Sequence, residues 1–275
     1  MPDEPIDASQ FNLRYTTFHV PHDTAELVPI ADAHVGDGAA DERILRAEVE
    51  YIAAEPNRVC ILAGDMINWA TRTSKSDPTR QKYTNEQQYD LIKKILDPIR
   101  PRIIGAVVGN HEDRPTDNGG LNMTYHYCGL VGIPYLAYAG MIRLGVGTKT
   151  AGNPRQTYYI GIHHTTGGGA TPAAKLTSVN KLALIMPNCD LFLGAHRHGY
   201  AANDDHVYLP PGQKGGELRT LRRDYVSLPT PMDWRKSYAV KKQYAPTPFS
   251  KLRITFHGET HHPRDHRVDT HKYAV

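Results

Sequence analysis

Five short segments of this 275-residue chain set oxygen and nitrogen metal ligands at the ends of apolar runs. They are Asp32-Ala33-His34, Gly64-Asp65, Gly109-Asn110-His111-Glu112, His163-His164 and His196-Arg197-His198. The runs before them cover residues 27–30, 59–63, 103–108, 158–162 and 191–193. One His or Asp after an apolar run is usually a capped or solvated strand end; five in order along one chain form a constellation. A mixed His, Asp and Asn donor set without thiolate suits Mn, Fe, Zn or Ni rather than Ca or Mg. Two such cations held roughly 3.5–4 Å apart serve in-line displacement at phosphorus. They need a bridging carboxylate to offset their mutual repulsion, and Asp65 is the only carboxylate of its segment. Imidazoles and an amide oxygen supply neutral terminal ligands that leave the metals acidic enough to ionise water.

The elements that must position these groups are readable from periodicity. Strands are expected over 14–20, 26–31, 58–63, 103–108, 156–162 and 190–193. Ile44, Leu45, Val49 and Ile52 recur at helical spacing, which predicts a helix over 41–54 ended by Pro56 and Asn57. A second amphipathic helix is expected over 85–96 and another over 173–185, while 121–141 mixes a helix with strand starts. The first strand–helix–strand unit carries ligands at both strand ends, where open α/β sheets place their sites. Residues 71–84 read as an exposed loop. Pro210 to Gly216 reads as a turn between strands over 207–209 and 217–228, followed by a strand over 252–257 and a loosely ordered polar tail from about 258.

Composition bounds the rest. A hydrophobic content of 40% supports a real core, and the length fits a single domain spanning 1–275. A net charge of +3 is only a weak pointer to an anionic partner. No apolar run reaches membrane-spanning length, and the acidic, polar start does not read as a signal peptide. Cys60, Cys128 and Cys189 are far apart with no paired spacing, which is expected of buried thiols in a reducing, cytoplasmic setting.

The order DxH, GD, GNHE, a strand-end His and HxH resembles the calcineurin-like metallophosphoesterase superfamily. The resemblance covers Asp32 to His198 and leans towards short phage- and bacterial-type members grouped with DNA-repair exonucleases. It implies an α/β fold of two face-to-face mixed β-sheets flanked by helices, a four-layer αββα sandwich with a dinuclear site where the strands end. Carried over by position, Asp32, His34 and His198 hold the first of two divalent transition-metal ions, and Asp65 bridges. Asn110, His163 and His196 hold the second, with His164 the alternative to His163. His111 matches the histidine over the phosphate that donates to the leaving oxygen or stabilises the transition state. Glu112 orients an imidazole rather than binding metal, and Arg197 lies between two ligands. The chain departs from the pattern at Asn68, where a second Asp is common, at Ala195, where Gly usually stands, and after His164, where Thr165 replaces a frequent proline.

The activity implied is hydrolysis of phosphodiester bonds, with a nucleotide or DNA as the phosphate-ester substrate. Phosphomonoesterase or protein phosphatase is the alternative, and a catalytically inactive scaffold of the same fold is the rival of another class. The filled ligand positions speak against the scaffold. Three further features have competing readings. The Gly167-Gly168-Gly169 stretch is a flexible turn or a phosphate-approaching backbone. The segment from Arg219 to Tyr244, with Arg222, Arg223, Arg235, Lys236 and interleaved aromatics, is a nucleic-acid surface or ordinary strand-face charge. The tail histidines, including His257 and His271, are best read as solvated.

Overall fold

Alternation along the buried strands decides the architecture. In the strand Arg58–Leu62 (β3), Val59 and Ile61 belong to one apolar cluster and Cys60 and Leu62 to another, as period-two geometry requires. The computed structural model describes residues 13–71, 74, 79, 81–117, 120–149, 152, 154–169, 171–209, 216–236, 250–259 and 268–274. The polar lead-in, the turn over 210–215, most of the aromatic segment beyond residue 236, and His261, His262 and His266 lie outside them.

Two sheets form. The first runs β1 (Arg14–Val20), β5 (Ala139–Thr148), β6 (Pro154–His163), β7 (Leu191–Gly194), β9 (Arg219–Ser227) and β8 (Ala201–Leu209). The second runs β11 (Val268–Ala274), β10 (Ser250–His257), β2 (Thr24–Ile30), β3 and β4 (Ile103–Ala106). Leu27, Ile61, Ile104 and Ile254 of one sheet share a dry core with Ile142, Tyr158, Ile160, Ile162, Leu191 and Leu193 of the other. Behind the second sheet pack α1 (Glu42–Ala54), α2 (Asn85–Leu96) and α4 (Met123–Val131). Behind the first pack α5 (Pro172–Asn180) and α6 (Leu182–Ile185), against Phe192 and Tyr225. The layers are therefore helix, sheet, sheet, helix, as the motifs imply. No helix among the described residues is long and apolar enough to cross a membrane.

Two differences from the sequence reading stand out. The region after 258 is not uniformly loose, because β11 pairs antiparallel with β10 along its whole length and closes that edge of the sheet. The helix expected over 173–185 is two helices, α5 and α6, broken around Lys181. In the basic segment Arg222 faces Asp204 and Asp224, Arg223 pairs with Asp205 and Arg235 pairs with Asp233, which fits the reading of it as strand-face charge. All three cysteines are buried and free, as expected.

Candidate metal centre

Parallel pairing brings the C-terminal ends of β2, β3 and β4 together in one sheet and those of β6 and β7 in the other. All five ligand segments leave the sheets at these ends. The two sheets are stitched there by side chains: Asp32 Oδ2 accepts from His196 N at 3.0 Å, and His164 Nδ1 lies 2.8 Å from Ala63 O. Since a carbonyl can only accept, His164 carries a proton on Nδ1 and turns Nε2 towards the site. That atom lies 3.1 Å from Asp65 Oδ2 and 3.2 Å from Asn110 Oδ1.

Three overlapping groups of donor atoms result: Asp32 with His34 and His198, His34 with Asp65 and His111, and Asp65 with His164 and His196. His34 Nε2 stands 3.2 Å from His198 Nε2 and 3.7 Å from Asp65 Oδ2, and His198 Nε2 stands 3.3 Å from Asp32 Oδ1. Metal bonds of about 2.0–2.2 Å put neighbouring ligand atoms about 3–3.5 Å apart, so the spacing suits a cation between them. Asp32 Oδ1 is buried with the His198 ring near it, at 3.3 Å, and no backbone or hydroxyl donor among the described residues. A carboxylate oxygen left so is costly unless a cation meets it, and the donor set fits a transition metal.

The electrostatics agree. Burial alone would raise Asp65, but the imidazoles of His164 and His111 hold its carboxyl well below the usual range. Burial works against protonation of His164, yet the Asp65 charge and hydrogen bond push it up to about 10. Two acceptors facing each other at 3.2 Å need positive charge, either a metal ion or a second ring proton. His34 is lowered well below its ordinary value by burial and by the facing His111.

Backbone strain marks the same residues. Among the described residues eight non-glycines have positive φ, and five of them are Asp32, His34, Asp65, His196 and His198. Such strain persists only where the surroundings over-determine it, and it gathers at functional sites. Two glycines make room for the centre. A Cβ on Gly109 would stand 2.1 Å from Asp65 N, and one on Gly64 would stand 2.7 Å from Gly109 Cα and from His164 Nδ1.

The expected residues do not all meet. His163 is outside the three groups and His164 is inside. The reason is parity: His164 shares the side of Tyr158, Ile160 and Ile162, which face the other sheet, whereas His163 follows Tyr159 and Gly161 towards the helix layer. That His163 ring contacts Thr165 N instead. Glu112 orients backbone, not an imidazole: its oxygens accept from Asp65 N at 2.8 Å and Ile67 N at 3.1 Å. Asn68 contributes its carbonyl, which takes His111 Nδ1 at 2.5 Å and Arg114 Nη1 at 2.8 Å. Arg197 braces the glycine-rich turn through Thr166 O and Ser178 Oγ. The sequence reading missed Gln88, fully buried, whose Oε1 accepts from Asn68 N and Trp69 N. Its signal was a polar side chain on the apolar face of α2, in line with Ile92 and Ile95.

No family model matches the sequence, and no curated protein does. Solved structures do match. Vps29 from Chaetomium thermophilum is 13% identical over 90% of this chain and 95% of its own, with a TM-score of 0.39. The calcineurin-like phosphoesterase YfkN from Bacillus subtilis is 10% identical over 91% of each chain, with a TM-score of 0.38. The nuclease MPE from Pseudomonas putida is 13% identical over 88% of this chain and 85% of its own, with a TM-score of 0.33. These are distant likenesses, and they assign neither substrate nor activity to this chain.

Proposed function

We propose that this protein is a dinuclear-metal phosphoesterase of the calcineurin-like type that hydrolyses phosphodiester bonds of a nucleotide or nucleic-acid substrate. The observation that carries the reading is the position of Asp65, whose carboxylate joins two of the three donor groups and lies 3.7 Å from a nitrogen of the remaining one. Asp32, His34 and His198 would hold one ion, and Asn110, His164 and His196 the other, with Asp65 between them. A pair of divalent ions there supplies positive charge for phosphoryl oxygens and acidifies water. The chain's own contribution is fixed geometry. His164 is locked by Ala63 O, Asp65 Oδ1 is held by the His111 N–H at 2.8 Å, and Glu112 pins the Asp65 backbone. His111 would lie beside such a pair, its Nε2 3.8 Å from Asp65 Oδ2.

The test is a screen of protein loaded with Mn, Zn or Ni against bis-p-nitrophenyl phosphate, p-nitrophenyl phosphate, cyclic nucleotides and single- and double-stranded DNA. Turnover of diesters above the monoester is expected, with about two metals per chain. Asp65→Asn should lose metal and activity together. Full activity at one metal per chain would sink the dinuclear mechanism.

A further inference from the structure

His111 and Arg114 lie three residues apart on α3 (Asn110–Asp117), a spacing that puts both on one face. Arg114 Nη2 is 2.8 Å from His111 Nε2, the ring nitrogen that faces Asp65. Its Nη1 donates to Asn68 O at 2.8 Å and Trp69 O at 3.1 Å. The other ring nitrogen of His111 reaches Asn68 O as well. Both nitrogens of the imidazole are thus engaged: Nδ1 donates to the carbonyl, and Nε2 accepts from a group that can only donate. The guanidinium, the imidazole and the Asn68–Trp69 backbone form one closed unit. That backbone continues directly from Asp65, and Trp69 is itself held at φ 41°.

We propose that Arg114 is a positioning residue of this site: it fixes the His111 imidazole from the nitrogen that faces the metal ligands and clamps the loop that carries Asp65 against α3. The proposal rests on the phosphoesterase reading and adds to it a residue that no metal-ligand motif supplies. Because Nε2 accepts here, the ring can donate from that nitrogen only after it gains a second proton, and the proton held on that side belongs to Arg114. Arg suits the task because its planar fork serves the carbonyls with one nitrogen and the ring with the other; Lys has three donors but on a single nitrogen, which would have to stand within reach of all three acceptors by itself.

A double-variant cycle tests it. Arg114→Gln, Arg114→Lys, His111→Ala and Arg114→Gln with His111→Ala are assayed on bis-p-nitrophenyl phosphate, with metal content and melting temperature measured for each. Arg114→Gln should lower kcat about tenfold to a hundredfold, the scale of a small misplacement of a reacting group, with KM changed less than about threefold and both metals kept. Arg114→Lys should recover part of the loss. The double variant should be no slower than His111→Ala alone, since Arg114 acts through that ring. Losses that multiply, an unchanged kcat in Arg114→Gln, or loss of metal in that variant would overturn the proposal. A second readout does not need turnover. In zinc-loaded protein labelled with ¹⁵N-histidine, the His111 ring signals, assigned by their absence in His111→Ala, should move in Arg114→Gln; unmoved signals also overturn it. Wild-type protein that hydrolyses no phosphate ester would refute the proposed activity and leave this second result to stand by itself.

Discussion

Replacing His164 and His163 one at a time tests which of the two would hold a metal. His164 is 3% exposed, with Nδ1 on Ala63 O and Nε2 beside Asp65 and Asn110, whereas His163 lies outside the donor groups. Removing even an outer partner of a ligand weakens a metal site about 10–100-fold, so losing the ligand itself should cost at least about 100-fold. At a metal concentration about 100 times the wild-type Kd, binding stabilises the fold by about 2.7 kcal/mol. A site weakened about 100-fold gains only RT ln 2, about 0.4 kcal/mol. A chain of this size shifts about 2–4 °C per kcal/mol. With two such sites, wild type and His163→Ala should therefore melt about 11–22 °C higher with metal than without, and His164→Ala, which keeps the Asp32–His34–His198 site, only about 6–12 °C higher. Comparing each variant with its own metal-free form removes the cost of the lost Ala63 hydrogen bond. Differential scanning fluorimetry in chelator and in Zn or Mn reads the increment. A small increment in His163→Ala with a full one in His164→Ala would refute the parity argument.

Two other outcomes follow from groups around the centre. The Glu112 carboxyl is pushed up to about 7, first by burial and then by the Asp65 charge; a raised carboxyl stabilises the metal-free fold below the ordinary carboxylate range and loses that contribution as pH climbs through about 7. Between about pH 5 and about pH 7.5 the metal-free melting temperature of wild type should lose ground to that of Glu112→Gln, which starts about 1–3 kcal/mol less stable because its amide NH2 replaces one of the two accepting oxygens and faces an N–H; a difference that does not change with pH counts against the assignment. At His198, with φ 49°, His198→Gly should be more stable than His198→Ala by about 1 kcal/mol in metal-free protein, reversing the usual order, since left-handed backbone costs an alanine about 1–2 kcal/mol; equal melting temperatures would mean the strain is not there.

The parts of this architecture written in short-range pattern were legible in the sequence. The continuous apolar run of β3, buried on both faces, and the helical spacing in α1 each name an element. What escaped depends on partners distant in sequence. The strand Val268–Ala274 reads as polar tail because it lies at a sheet edge with half-exposed side chains, and only pairing to Ser250–His257 makes it a strand. Gln88 and Arg114 escaped because neither ligates; each answers backbone groups of the Asn68–Trp69 turn that exist only once the turn is made.

The choice between His163 and His164 lies between these cases. Its information was present, since His164 falls in step with Tyr158, Ile160 and Ile162, all buried between the sheets. Position along the motif points to the first histidine of the pair, and alternation points to the second. Alternation prevails because it is steric: an extended backbone turns successive side chains to opposite faces, so a ring at 163 cannot reach Asp65 without breaking β6. That rule holds only while the chain stays extended. It ends at Thr165, with φ 54°, and His196 and His198, at φ 74° and 49°, lie in backbone where no alternation applies. For those two residues spacing in the motif is the only guide the sequence offers, and there it names residues that the fold brings to the centre.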